Sequence, residues 1–236
     1  MAIILNIETS TEVCSVSLAQ DGETLFQKES SDGLNHSKLL TVFIQDLFKE
    51  NRVSFKQLDA VAVSKGPGSY TGLRIGVSVA KGLCYGLNIP LISVGSLDSM
   101  ADHVAANLKN YFVAQKEDKV LICPMIDARR MEVYTALYDF NGDPILPVSA
   151  EIIDENSFGE YLKDHKILFF GNGAEKCRGK ITHPNAVFEG PERTSARFMQ
   201  NLSEMKYKKQ QFEDVAYFEP FYLKDFVATI PKNKIF

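Results

Sequence analysis

The sequence predicts an α/β protein of two lobes made by duplication, with mixed sheets that carry helices on both faces. Three observations lead there. First, a strand-turn-strand unit occurs twice, as Ile7-Glu8-Thr9-Ser10-Thr11-Glu12-Val13 with Asp21-Gly22, and as Ile126-Asp127-Ala128-Arg129-Arg130-Met131-Glu132-Val133 with Asn141-Gly142. The landmarks are offset by 119 and then 120 positions, and agreement in order at four of them marks an internal repeat. Second, the first copy opens with antiparallel strands and continues with strands linked by helices, the order of a mixed sheet. Third, 236 residues with 45% hydrophobic and 24% charged side chains suit one large globular domain or two small ones.

In order along the chain, Ala2 to Ile7 is a near-continuous apolar strand and Val13 to Ala19 alternates in part, so it reads as the returning strand. Asp21-Gly22 turns the chain into a third strand at Thr24 to Lys28, which completes an antiparallel meander. Leu39, Leu40, Phe43, Ile44, Leu47 and Phe48 then recur at helical spacing behind Asn35 or Ser37 as a cap. Strands at 60–63 and 89–94 flank a helix from about Thr71. The second copy continues with a strand at Ile145 to Ile152, a short helix after Ser157, a strand at Lys166 to Phe170, the turn Gly171-Asn172-Gly173 and a helix from Ser195 to Met205. It is a shorter version of the first. The expected division is an N-terminal lobe over 1–100 and a C-terminal lobe over 101–236, whose tail packs back on the first lobe.

The stretch from Val61 to Gly86 organises the first lobe. Gly66-Pro67-Gly68 must turn sharply, because Pro fixes φ and Gly admits positive φ, and Ser69 or Thr71 can cap the helix that follows. Amides at such a helix start can hold an anion. The spacing is nonetheless not that of a Walker loop, since Leu73-Arg74 stands where Lys-Ser/Thr is required. The helix places Gly72, Gly76, Ala80 and Cys84 four apart on one ridge, with Leu73, Ile75, Val77, Val79 and Leu83 around the rest. Glycines inside a helix cost about 0.5–1 kcal/mol each relative to Ala, so the ridge must gain something in return. It either packs against the protein's own sheet or faces outward and admits a partner's helix at short range. The second account makes Gly72, Leu73, Gly76 and Ala80, with Leu39, Phe43 and Leu47 of the preceding helix, the expected partner interface.

Composition narrows the function classes. A net charge of −4 argues against a protein that grips nucleic acid alone across a broad basic face. No apolar stretch is long enough to span a membrane, and the Met-Ala-Ile-Ile-Leu-Asn start lacks the features of a signal peptide, so a cytoplasmic protein is expected. Cys14, Cys84, Cys123 and Cys177 are scattered and read as buried free thiols. His36, His103, His165 and His183 show no pair four apart, so no metal site and no catalytic residue is assigned. Glu8 and Asp127, each at a strand end, could flank a magnesium nucleotide. With Thr9, Ser10, Gly66, Gly68 and Ser69 they form the candidate nucleotide or anion cleft. Ala128-Arg129-Arg130 supplies no glycine after the second acid, and its arginines read equally as solvated turn charges or as partners for nearby acids.

Two lobes that each carry an acid at the end of the first strand resemble the actin/hexokinase/Hsp70 (ribonuclease-H-like) superfamily. More specifically, Ile4-Leu-Asn-Ile-Glu-Thr-Ser10, Lys65-Gly-Pro-Gly-Ser-Tyr-Thr-Gly-Leu-Arg-Ile-Gly76, Gly95-Ser-Leu-Asp98, Met125-Ile-Asp-Ala-Arg129 with Glu132-Val-Tyr134, and Pro220-Phe-Tyr-Leu-Lys224 are similar to the serial motifs of the TsaB (YeaZ) family. Glu8 departs from the usual Asp and Lys224 from the frequent Arg. The resemblance implies a non-catalytic subunit of the machinery that adds threonylcarbamoyl to adenosine beside the tRNA anticodon, acting with a catalytic TsaD subunit and a TsaE ATPase. With the negative net charge, contact with tRNA is expected only through that complex; no cofactor of the chain's own is expected, ATP or ADP at most at the cleft of the complex, and the apolar helices make self-association an alternative pairing. Two other classes stay open at this stage: an ATPase or small-molecule kinase using the cleft, and, with less support, a metallopeptidase-like protein.

Overall fold

Each apolar strand of the repeat becomes the centre of its own sheet. The computed structural model describes residues 2–32, 35–112 and 119–224. The first half runs β1 (Ile3–Glu8), β2 (Cys14–Gln20), β3 (Glu23–Ser30), α1 (His36–Glu50), β4 (Ala60–Gly66), α2 (Tyr70–Leu87), β5 (Leu91–Gly95). Two helices follow, α3 (Ser96–Ala106) and the single turn α4 (Leu108–Tyr111). The second half runs β6 (Val120–Asp127), β7 (Glu132–Asp139), β8 (Pro144–Ile152), the single turn α5 (Gly159–Leu162), β9 (Lys166–Phe170), β10 (Ala186–Phe188), a 3-10 turn at Ala196–Met199, and α6 (Gln200–Lys208).

The sheets repeat one plan. The first has the order β3-β2-β1-β4-β5, and the second, read from its other edge, β8-β7-β6-β9-β10. β1 pairs antiparallel with β2 and parallel with β4, and β6 pairs antiparallel with β7 and parallel with β9. The two-lobed α/β duplication expected from the sequence is therefore present. The lobes differ in their covering: α1 and α2 close one face of the first sheet, whereas the one-turn α5 stands in the second lobe where α1 stands in the first.

The lobes also exchange helices. α3 turns Leu97, Met100, Ala101 and Val104 onto Ile122, Ile126, Ala136 and Phe170 of the second lobe. In return Met199, Leu202 and Tyr207, from the end of the second half, pack on Ile4, Ala62, Ile92 and Val94 of the first sheet. The boundary expected between 100 and 101 is corrected by this, because it falls inside α3, a helix that chain order assigns to one lobe and packing to the other. The tail does return to the first lobe: Glu213 N–H donates to the Leu91 carbonyl at 2.8 Å, Phe221 N–H to that of Lys65 at 2.7 Å, and Lys81 Nζ to those of Ala216 and Phe218 at 2.8 and 3.1 Å. All four cysteines are free and buried, and burial pushes the thiols of Cys14 and Cys84 up to about 11 and that of Cys123 up to about 12. Among the described residues no helix is long and apolar enough to cross a membrane.

α2 corrects the expected interface. Gly72, Leu73, Gly76 and Ala80 all face inward and are buried, and Leu47 of α1 is buried with them. A Cβ at Gly72 would collide with the carbonyl oxygen of Thr9, and one at Gly76 with the Thr9 hydroxyl. The ridge therefore lets α2 lie directly on the turn after β1, and a partner cannot reach it. Leu39 and Phe43 stay half-buried at the surface. Outward, α2 shows a different ridge of residues four apart, Arg74, Ser78, Gly82 and Gly86, all exposed, with open space where Cβ atoms of Gly82 and Gly86 would lie. Gly72→Ala should therefore cost about 1–3 kcal/mol through overpacking against rigid backbone. Gly82→Ala should instead gain about 0.5–1 kcal/mol of helix propensity. Thermal melting of the two variants checks this, with shifts of opposite sign.

Candidate functional site

The expected cleft residues of the first lobe do come together, but around one another. Ser69 begins α2 as its N-cap, its hydroxyl accepting from Gly72 N–H at 3.3 Å, while its own N–H donates to the Ser10 carbonyl at 2.6 Å. Gly68 has φ of 159° and lies so close to Ser10 that a Cβ would overlap the Ser10 backbone. The amide of Ser69, which a phosphate would need, is thus turned onto the chain itself, and the turn after β1 occupies the space in front of the glycine loop. Gly66 closes the loop from behind, against the carbonyl of Phe221 in the returning tail.

Glu8 ends β1 with no solvent exposure. Its Oε1 accepts from Ser10 N–H at 2.6 Å and its Oε2 has no hydrogen-bond partner among the described residues, nor has the buried hydroxyl of Thr9. Burial pushes the Glu8 carboxyl above the ordinary carboxylate range, outweighing the downward pull of the Ser10 and Ser64 groups beside it. That shift favours the neutral acid in the chain as it stands. No group of three or more His, Cys, Asp or Glu among the described residues has the geometry of a metal site.

Asp127 ends β6 in a different setting. It is partly exposed and pairs with Lys176, whose ammonium also donates to the carbonyls of Arg130 and Glu132, each at 2.7 Å. Asn172 then ties the two turns together: its Oδ1 accepts from Asp127 N–H at 3.0 Å and its Nδ2 donates to Glu12 at 2.9 Å. Glu12, Asn172 and Lys176 were not singled out by sequence reasoning. The one signal available for Asn172 is its place in Gly171-Asn172-Gly173 directly after a buried strand.

An open cavity of about 590 Å³ lies on the second lobe, lined by Asn172, Glu175, Arg178, Glu192 and Arg193 among others, with Glu12 as its one lining residue from the first lobe. None of Glu8, Thr9, Ser10, Gly66, Gly68, Ser69 or Asp127 lines it. Its carboxylates, Glu12, Glu175, Glu189 and Glu192, outnumber its two guanidinium groups, and one of those, Arg178, is already paired with Glu175 at 2.9 Å. That balance is unfavourable for a polyphosphate. The remaining surface of note is the outer face of α1 and α2, where half-buried Leu39, Phe43, Ile75, Val79 and Leu83 flank exposed Val42, Ser78 and Gly82.

Comparison with known proteins adds an independent line. A family model described as "TsaD: tRNA N6-adenosine threonylcarbamoyltransferase" matches residues 31–232. The "tRNA threonylcarbamoyladenosine biosynthesis protein TsaB" of Bacillus subtilis is 30% identical over 229 residues, which cover 94% of this chain and 93% of that one. The Escherichia coli protein of the same name is 36% identical over 141 residues, 59% of this chain and 57% of that one. Among solved structures, one from Pseudomonas aeruginosa described as similar to peptidase YeaZ superposes with a TM-score of 0.79 at 23% identity, over 95% of this chain and 100% of the other. YeaZ from the same organism gives 0.70 at 23% identity, over 94% and 100%. Those two likenesses speak to the fold.

The burial of Glu8 has a measurable consequence. A carboxyl whose pKa is raised by folding contributes stability that is fully present below its ordinary value of 4.5 and is lost as pH rises through the folded-state value. Glu8→Gln removes that loss while keeping an oxygen for the Ser10 amide. Urea midpoints followed from pH 4 to pH 8 should show the variant gaining on the wild type as pH rises, whereas parallel profiles would mean that folding does not raise the pKa of Glu8.

Proposed function

The chain belongs to the TsaB family of tRNA threonylcarbamoyladenosine biosynthesis proteins, and from that premise we propose that it acts through its surfaces, as the non-catalytic partner of a TsaD-type subunit that carries the chemistry. The observation that carries this reading is the packing of α2 on the turn after β1. Ser69 N–H donates to the Ser10 carbonyl and the glycine ridge lies directly on Thr9, so this helix start is engaged within the chain and its amide is not offered to an anion. Glu8 is sealed beneath them, shifted toward its neutral form. The packing of the glycine loop on the turn after β1 does not favour an ATPase or kinase using this cleft, and a metallopeptidase finds no ligand set among the described residues.

The surface best suited to the TsaD-type partner is the outer face of α1 and α2. Leu39, Val42, Phe43, Ile75, Val79 and Leu83 offer an apolar strip, and Ser78 and Gly82 let a facing helix approach closely. Self-association through the same face competes with that pairing, so the partner's concentration decides which forms. A TsaE-type ATPase joins the assembly, any ATP or ADP sits in the cleft of the complex and not in this chain alone, and the whole works on tRNA in the cytoplasm. Ser78 is exposed, so Ser78→Arg should leave the melting temperature within a few degrees. It should weaken association with the TsaD-type partner at least tenfold, about 1.4 kcal/mol, and threonylcarbamoyl transfer in a reconstituted system should fall in step. Unchanged association would remove this face from the proposal.

A further inference from the structure

Three segments far apart in sequence meet along one edge of the molecule and make it basic, although the chain as a whole has a net charge of −4. At the start of α2, the Arg74 guanidinium lies 4.1 Å from the centroid of the Tyr70 ring and 5.8 Å from that of Tyr222, and its Nε donates to the Tyr222 hydroxyl at 3.1 Å. Two residues further along the tail, Lys224 pairs with Glu132 of β7 and sits 5.8 Å from the centroid of the Tyr134 ring. Glu132 follows the turn that carries Arg129 and Arg130, and its N–H donates to the Arg129 carbonyl at 3.2 Å.

The acids of this edge are largely spoken for. Glu132 is paired with Lys224 and Asp127 with Lys176, while Glu219 is the carboxylate near Arg74. Arg129 and Arg130 are exposed, and among the described residues their side chains make no hydrogen bond or ion pair. Both also hold left-handed backbone, with φ of 73° and 52°, a region that disfavours any residue with a side chain and that Gly or Asn would occupy more easily. Among the described residues these two consecutive arginines stand without an ion-pair partner in a turn that arginine does not favour, which leaves them open to an anionic ligand.

Resting on the tRNA-modifying role argued above, we propose that this edge is where the chain meets tRNA in the assembled complex, with Arg129 and Arg130 engaging phosphates and Arg74 held ready between its two tyrosines. The planar guanidinium fork matches a phosphate in two hydrogen bonds. An acidic protein surface is the less fitting occupant. Apart from exposed Phe221, the aromatic rings of the edge, Tyr70, Tyr134 and Tyr222, are half-buried beneath its cations, and a protein interface draws on an apolar centre, whereas phosphate contact needs none. Standing alone, a few cations on an acidic chain bind RNA weakly, so the contact matters once a partner supplies the rest.

The test uses the full chain in complex with its TsaD-type partner, and a transcribed tRNA that carries adenosine beside the anticodon. In the double variant Arg129→Gly/Arg130→Gly the turn keeps its shape, so the melting temperature should hold or rise and association with the partner should be unchanged. The Kd for the transcript should rise about tenfold near physiological salt, and the slope of log K against log salt should shrink by about 1.4–1.8, the value of two phosphate contacts. An unchanged Kd and slope would overturn the inference, and so would lost association with the partner, which would turn the edge toward protein. Should the wild-type chain neither join the partner nor support modification, the reading beneath it fails and this inference falls with it.

Discussion

The close approach of α2 to the turn after β1 is the constraint on which the rest of the first lobe depends. Gly68, Gly72 and Gly76 carry no Cβ, so a helix axis can lie against Thr9 and Ser10 where any side chain would strike backbone or hydroxyl. The helix then has only one direction left for its polar and small residues, outward, and Arg74, Ser78, Gly82 and Gly86 take it. Glu8, just before that turn, has no solvent exposure, and none of the loop residues lines the open cavity of the second lobe. A packing requirement thus shapes both what the protein can present to a partner and what it cannot hold.

The lobes are fastened as firmly as their halves are packed. Beyond the exchange of α3 and α6, the segment leading to the 3-10 turn is bonded to the turn after β1 and to β2 and β3 of the first sheet. Thr194 meets Thr11 at 2.7 Å, Ser195 donates to Glu29 at 2.8 Å, and Ala196 N–H donates to Ser15 at 2.9 Å. Asn172 adds its bridge between Glu12 and Asp127. A nucleotide-using protein of two lobes opens and closes around its ligand, and bonds of this kind across the cleft oppose such a motion. They suit a subunit whose task is to hold surfaces in register.

Much of this was legible in the sequence, for identifiable reasons. The repeat could be read because a buried strand ending in an acid and a turn at fixed distance survive degradation of the rest, and sheet order followed from it. α1 and α2 were read from periodicity. The face that α2 turns outward was misread, since a ridge of small residues fits a near sheet as well as a near helix, and only Thr9 in space decides between them. α3 was passed over although Leu97, Met100, Ala101 and Val104 have helical spacing, because its place coincided with the expected lobe boundary. The basic edge could not be read at all: residues 70–74, 129–134 and 221–224 each carry an unremarkable charge, and folding alone makes them neighbours.

The chain keeps the two-lobed plan while Ser69 and the glycine ridge of α2 pack on its own turn after β1, and the working surfaces proposed for it are the outer helix faces and the arginine turn. The most direct test is a calorimetric titration of the isolated, purified chain with magnesium ATP. The account predicts no saturable heat of binding at nucleotide concentrations up to the millimolar range. One nucleotide bound per chain, with the binding abolished by Asp127→Ala, would contradict it.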